Sequence, residues 1–155
     1  MMITLAHIDL YAKNTMWTVG QDYFLHSFFS TIADQLEDEA WGSRFPALMK
    51  DLYSGRLSAS RVSQARRELA TIRAELAELP PDARVYAFEE PERPTPWPVP
   101  PGANTLADAF LTSNGDNLLD SLAEAFDVSE EIGADIEIRP FSPGADYTYF
   151  VSGER

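Results

Sequence analysis

The sequence predicts an α+β fold: a single domain in which three to four helices pack on one face of a mostly antiparallel sheet. Three observations carry this. Apolar residues at Val62, Ala65, Leu69, Ile72, Leu76 and Leu79 step by threes and fours, the period of an amphipathic helix. Alternating apolar and polar residues mark strands near both ends of the chain, in ITLAHIDLYA and in DYTYFVS. The predicted order, strand, helix, short helix, long helix, strand, connector, helix, strand, strand, places most helices between the strands of one sheet.

The first strand, over 3–12, has no cleanly polar face and is therefore largely buried. KNTMWTVG follows as a loop containing Asn14 and Gly20. From Asp22 to about Glu39, Phe24, Leu25, Phe28, Phe29, Ile32 and Leu36 form a broad aromatic stripe at helical spacing. The acidic run EDE at its end opposes the helix dipole. AWGSRFPALMKDLYSGRLS then reads as a tight corner. Gly42 supplies backbone freedom, Pro46 opens a short helix, Gly55 ends it, and Trp41, Phe45, Leu48, Leu52 and Tyr53 bury it. Ser58 or Ser60 caps the long helix and the PPD at 80–82 stops it. Its stripe favours packing on a sheet over a free coiled coil, and its arginines favour pairing with an acidic neighbour, in this chain or in another copy.

ARVYAFEE reads as a further strand. The proline-rich connector at 91–101 cannot enter a sheet interior or a helix, and Trp97 pins it to the body. A short strand or helical turn over 109–112 and a turn at Asn114-Gly115 lead to a helix from Leu118 to about Glu131, with Gly133 at its C-cap. ADIEIRP, with Ile136 and Ile138 inward, and DYTYFVS complete the sheet. The whole of 1–155 is read as one domain with the connector inside it.

The charge restricts the partners. With 12 basic and 25 acidic residues the net charge is −13. The excess is uneven: residues 44–84 carry eight bases against five acids, while 85–155 carry three against fourteen. Such a field repels nucleic acid and anionic membrane, and steers association with a basic protein. No apolar run is long enough to cross a bilayer, and the start of the chain lacks the features of a signal peptide. A cytoplasmic location is expected. The chain has no cysteine, which removes disulfides, thiolate nucleophiles and thiolate metal sites.

Few residues offer chemistry. The two histidines are His7, in a strand, and His26, on a helix one turn after Asp22. There is no G-x-S-x-G elbow, no Walker loop and no dinucleotide fingerprint. SNGDN lacks the ligand spacing of a calcium loop. Neither a metal nor a cofactor is expected, and no catalytic residue is assigned. One enzymatic alternative stays open: a small cytoplasmic hydrolase using Glu89 and Glu90, or Asp22 and His26, beside the tryptophans.

The stretch W-G-S-R-F-P-x-L-M-x-x-L-Y-x-G-x-L-S, the helix R-R-E-L-A-T-I-R-A-E-L, the L-P-P break, V-Y-A-F-E-E, P-T-P-W and F-L-T-S-N-G-D-N-L-L-D together resemble the immunity protein 70 family of bacterial polymorphic toxin systems. The resemblance spans about residues 20–138. It implies a non-enzymatic cytoplasmic protein that binds the C-terminal domain of a cognate toxin and blocks it. The acidic balance adds an expectation about that toxin, since a nuclease must present a basic cleft to phosphates. The contact residues expected on this basis are Asp34, Glu37, Asp38 and Glu39, Glu89, Glu90 and Glu92, and Trp97 as an anchor. The expected oligomeric state is monomer or weak homodimer; an obligate homo-oligomer with the 58–79 helix as its seam is a further alternative.

Overall fold

A computed structural model describes residues 7–12, 15–140 and 148–150. The fold is α+β. Among the described residues five strands, β1 (His7–Ala12), β2 (Thr15–Gln21), β3 (Arg56–Leu57), β4 (Ile136–Pro140) and β5 (Thr148–Phe150), make one sheet in the order β3-β4-β1-β2-β5. The β1–β2, β1–β4 and β3–β4 pairings are antiparallel, and β2–β5 is parallel. The helices are α1 (Asp22–Gln35), α2 (Val62–Leu76) and α3 (Leu118–Ile132), with a π-helical turn at Ala47–Leu52 and single 3₁₀ turns at Ala59–Arg61 and Leu106–Asp108. Residues 3–6 of the expected first strand, and most of the final one, lie outside the described residues.

KNTMWTVG is not a loop. Its greater part is β2, a central strand paired with β1. Met16, Trp17 and Val19 are buried, and the Trp17 indole donates to Glu124 of α3 at 3.2 Å. The pairing slips between Ile8 and Asp9, a bulge that leaves the Val19 carbonyl to accept the Ser113 N–H at 3.0 Å. This bond ties the loop before α3 to the sheet.

Packing follows the apolar stripes. α1 lies on β2, and α3 crosses β1, β2 and β4. The stripe of α2 is buried, but it packs chiefly on α3 and on the π turn instead of on the sheet. Its arginines reach α3 as well. Arg66 pairs with Asp127 (2.7 Å) and Glu130 (2.5 Å), and Arg73 with Asp120 (2.5 Å). Two arginines of the basic segment are thus paired within the chain, while Arg67 donates to Ser63 of its own helix at 3.2 Å.

The caps fall where their residue types place them. The Ser58 hydroxyl accepts from the Ser60 N–H and opens the 3₁₀ turn before α2. Asn117 caps α3 through the Leu119 N–H at 2.8 Å, and Gly133 closes it in the left-handed region, at φ 70°.

Two further expectations need correction. The helix beginning at Asp22 ends at Gln35, so the EDE run lies outside it. ARVYAFEE forms no strand apart from an isolated bridge between Ala87 and Glu90. It runs along α1, whose hydroxyls replace a neighbouring strand. Val85 O accepts from Ser27 Oγ at 2.6 Å, Val85 N–H donates to Thr31 Oγ1 at 2.9 Å, and Phe88 N–H donates to Ser30 Oγ at 2.8 Å.

Candidate binding surface

Residues 83–92 form a strap across the face of α1 that carries Ser27, Ser30, Thr31 and Asp34, and the expected contact residues gather around it. Glu89, Glu90 and Glu92 are exposed at its far end. Asp34 is half-buried on α1, while Asp38 and Glu39 are exposed just beyond the helix. The two groups meet through aromatic packing. Trp41, two residues after Glu39, stands edge-on to Phe88 at 5.4 Å, beside Glu89.

Glu37 does not belong to this exterior. It is only 2% exposed, and its carboxylate accepts the N–H groups of Gly42 (2.9 Å), Arg44 (3.0 Å) and Phe45 (3.0 Å). Three converging donors hold the carboxylate inside and bend the chain off the helix axis. Glu68 does the same from α2, accepting from Ala47 N–H at 3.1 Å and Leu48 N–H at 2.9 Å at the start of the π turn. Asp38 and Glu39 pay for the bend with left-handed backbone, at φ 51° and 63°. The corner at 40–55 is therefore built on two buried carboxylates. A charged residue lying beside the apolar stripe of α2, as Glu68 does, is the sequence signal for such a role.

Trp97 is half-buried. Its ring lies 5.5 Å from Tyr23, 6.1 Å from Phe24 and 6.1 Å from Tyr86. The Arg84 guanidinium donates to the carbonyls of Trp97 (3.1 Å) and Pro98 (3.4 Å), which fixes the connector on both sides of the ring. Burial lowers the pKa of Arg84, and nearby Asp82 offsets part of that shift.

His26 is the centre of the strap's far end. Its Nε2 lies 2.9 Å from Glu89 Oε1, and its Nδ1 lies 2.9 Å from the Tyr53 hydroxyl. Both ring nitrogens are thereby engaged, which explains why His26 pairs with these groups and not with Asp22, one turn earlier. Trp41 stacks on the imidazole at 6.1 Å and donates its indole N–H to Met49 O at 2.7 Å. The His26 hydrogen bond is the main cause that lowers the pKa of Glu89. Tyr53 is raised, first by burial and then by the charge of Glu89. Tyr53 was expected in the core. Instead it is 41% exposed, because the π turn carries its N–H to Leu48 O, five residues back, and turns the ring outward.

An open cavity of about 510 Å³ lies beside this relay, walled by Asp22, Tyr23, His26, Tyr53 and Tyr86 among others. The sequence reading missed Tyr53 and Tyr86 because their meeting depends on the strap and the π turn, which no local pattern announces. Among the described residues no three His, Asp or Glu side chains form a group suited to a metal, and no helix is long and apolar enough to cross a membrane.

The site is thus an acidic, aromatic-backed strap on an α+β scaffold. The family model for Immunity protein 70 matches residues 10–138, and the chain belongs to that family. The match begins ten residues before the resemblance read from the motifs, so it takes in β2. No curated protein and no solved structure matches the chain.

Proposed function

We propose that this protein binds the C-terminal toxin domain of a polymorphic toxin, a nuclease, in the cytoplasm, and neutralises it by covering its basic cleft. Membership of an immunity family supports the class of function. The observation that carries the surface is the distribution of unpaired charge. Arg44, Arg56, Arg61, Arg66, Arg73 and Arg93 each close an ion pair inside the chain. Among the described residues no arginine or lysine closes one on Asp34, Asp38, Glu39 or Glu92. Other exposed acids, among them Glu78, Asp108 and Glu131, also stand outside these pairs, but those at the two ends of the strap are gathered against an aromatic backing. Asp34, Asp38, Glu39, Glu89, Glu90 and Glu92 form the contact, with Trp97 fixing the connector behind them. Glu37 has no part in it.

Acidic groups so placed act mainly on association rate and specificity. Co-expression with the toxin domain encoded beside this gene tests the proposal, with growth restored by the wild-type chain as the expected result. Lysine at both Glu89 and Glu92 should slow association about tenfold or more at low salt, with a much smaller effect at high salt. Equal death of cells with and without the protein would reject the pairing.

One observation favours a second reading, a hydrolase. Glu89, His26 and Tyr53 are joined in a row at the edge of a cavity that Asp22 also lines, while Glu90 turns aside to Arg93 at 3.5 Å. The raised pKa of Tyr53 argues against it as a nucleophile, since activation requires the opposite shift. Turnover of an ester or phosphoester panel that disappears in His26→Ala would establish this reading.

A further inference from the structure

The relay at His26 dictates what its cavity can receive. Glu89, ionised at neutral pH, only accepts hydrogen bonds, so its 2.9 Å contact requires a proton on His26 Nε2. In the neutral imidazole Nδ1 then carries the lone pair and accepts the hydrogen bond that the Tyr53 hydroxyl donates at 2.9 Å. The phenol oxygen has no proton left to give, and its remaining capacity is acceptance. Tyr53 is 41% exposed and lines the cavity, as does the Asp22 carboxylate, another pure acceptor. The remaining walls include the rings of Tyr23 and Tyr86, surfaces that attract cations. Tyr86 already holds one guanidinium, that of Arg93 at 4.3 Å, balanced by Glu90 at 3.5 Å. An incoming cation is therefore bound mainly by Asp22 and Tyr53.

We propose that this cavity seats one cationic side chain, an arginine or lysine, presented by the protein partner. The assignment rests on the toxin-binding function proposed above and adds an anchor to it. The lining favours a cation: Asp22 brings a negative charge and Tyr53 an acceptor, while the Tyr23 and Tyr86 hydroxyls can donate or accept and do not decide the sign. The volume, about 510 Å³, is ample for a guanidinium and its aliphatic stem. The cavity opens beside the strap whose carboxylates steer a basic partner. Glu89 does not line it and acts as a positioning residue, setting the imidazole tautomer that orients the Tyr53 proton.

The test is an NMR titration of the full chain with a capped Gly-Arg-Gly peptide, its citrulline counterpart and free arginine, following the ring signals of His26, Tyr53 and Tyr86. The arginine peptide should shift these signals saturably, and the neutral citrulline peptide should bind about tenfold more weakly. Tyr53→Phe and Asp22→Asn should each weaken the arginine peptide about fivefold. Tyr53→Phe keeps the ring and its packing, so its result stands even if Asp22→Asn disturbs folding. Imidazole nitrogen shifts should report the Nε2–H form in the wild type and a mixture of tautomers in Glu89→Gln, a change that a merely structural glutamate would not cause.

Equal affinity for citrulline would overturn the proposal. So would unchanged binding in Tyr53→Phe, an imidazole protonated on both nitrogens at neutral pH, or free arginine bound more tightly than the peptide, which marks a metabolite site. Toxin neutralisation without cation-selective peptide binding rejects the cavity and leaves the immunity function standing. Cation-selective binding without neutralisation rejects that function, and with it the toxin as the source of the cation.

Discussion

The bend and corner at 37–55 and the strap at 83–92 lie against the same helix and are both irregular, yet they are held by opposite means. The corner is fastened by carboxylates. Glu37 and Glu68 turn inward and between them take five backbone N–H groups. The strap is fastened by the hydroxyls of Ser27, Ser30 and Thr31, so its own glutamates take no buried N–H and stay at the surface, with the Glu89 side chain 66% exposed even in its bond to His26. A buried N–H needs an acceptor of some kind, and the kind available decides whether an acid is structural or free to meet a partner. Net charge alone cannot separate these two populations.

The sharpest test of this contrast is to remove one carboxylate from each region. Glu37→Ala leaves three donors near the core without their acceptor and should cost about 3 kcal/mol or more in urea unfolding. Glu92→Ala, in the exposed rim, should change stability by less than about 0.5 kcal/mol. Comparable losses at the two sites would break the comparison.

The same contrast explains what could be read from the sequence. α2 and α3, their stripes and the C-cap at Gly133 follow from local periodicity and cap chemistry, whereas Ser58 caps the 3₁₀ turn before α2 instead of α2 itself, and the cap at Asn117 is not among the sequence expectations. β2 was missed because MWTVGQ, a central strand buried on both faces, shows little alternation; its burial runs as pairs interrupted by a bulge. The strap was misread as a strand because ARVYAFEE does alternate, whereas its hydrogen-bond partners are hydroxyls of a distant helix. His26 was legible as a candidate, but not its partners, which come from 27 and 63 residues away. The inward turn of Glu37 is not legible, because an acidic run carries no mark of which member turns inward.

Removing a strap fastener should cost less than removing a corner carboxylate, because each hydroxyl serves one or two backbone groups. Thr31→Val keeps the shape but deprives the buried Val85 N–H of its 2.9 Å acceptor, and should destabilise by about 1–2 kcal/mol. If the strap supports the binding surface, toxin affinity should fall more than stability does. Amide hydrogen exchange at 83–90 would show the strap opening locally, and unchanged protection there would separate the strap from α1.

Within the corner itself, neighbouring acids should respond with opposite sign. Glu39 holds φ 63° without a glycine's freedom, so Glu39→Gly should raise stability by about 1 kcal/mol where Glu37→Ala lowers it. The same change deletes a charge from the proposed contact and should slow toxin association. A stability gain paired with slower association would mark backbone strain retained at a functional position.

The smallest effect concerns pH. Glu75 makes two 2.7 Å hydrogen bonds to Arg44, which in turn donates to Leu36 O at 2.8 Å where α1 ends. The bond to Arg44 lowers the pKa of Glu75 below its ordinary value. A carboxyl depressed in the folded state adds stability that is present above its unfolded pKa, about 4.3, and disappears as pH falls through the lower folded value. The whole chain also sheds self-repulsion as its net charge of −13 is titrated, so the wild-type curve mixes two opposing trends. The difference between wild type and Glu75→Gln isolates the local one. It should be constant from about pH 6 to 8, shrink below about pH 4 and diminish in high salt, since both partners are largely solvated. A difference that grows on acidification would show that Glu75 is disfavoured as an anion, and that the tie from corner to α2 is not the Arg44 pair.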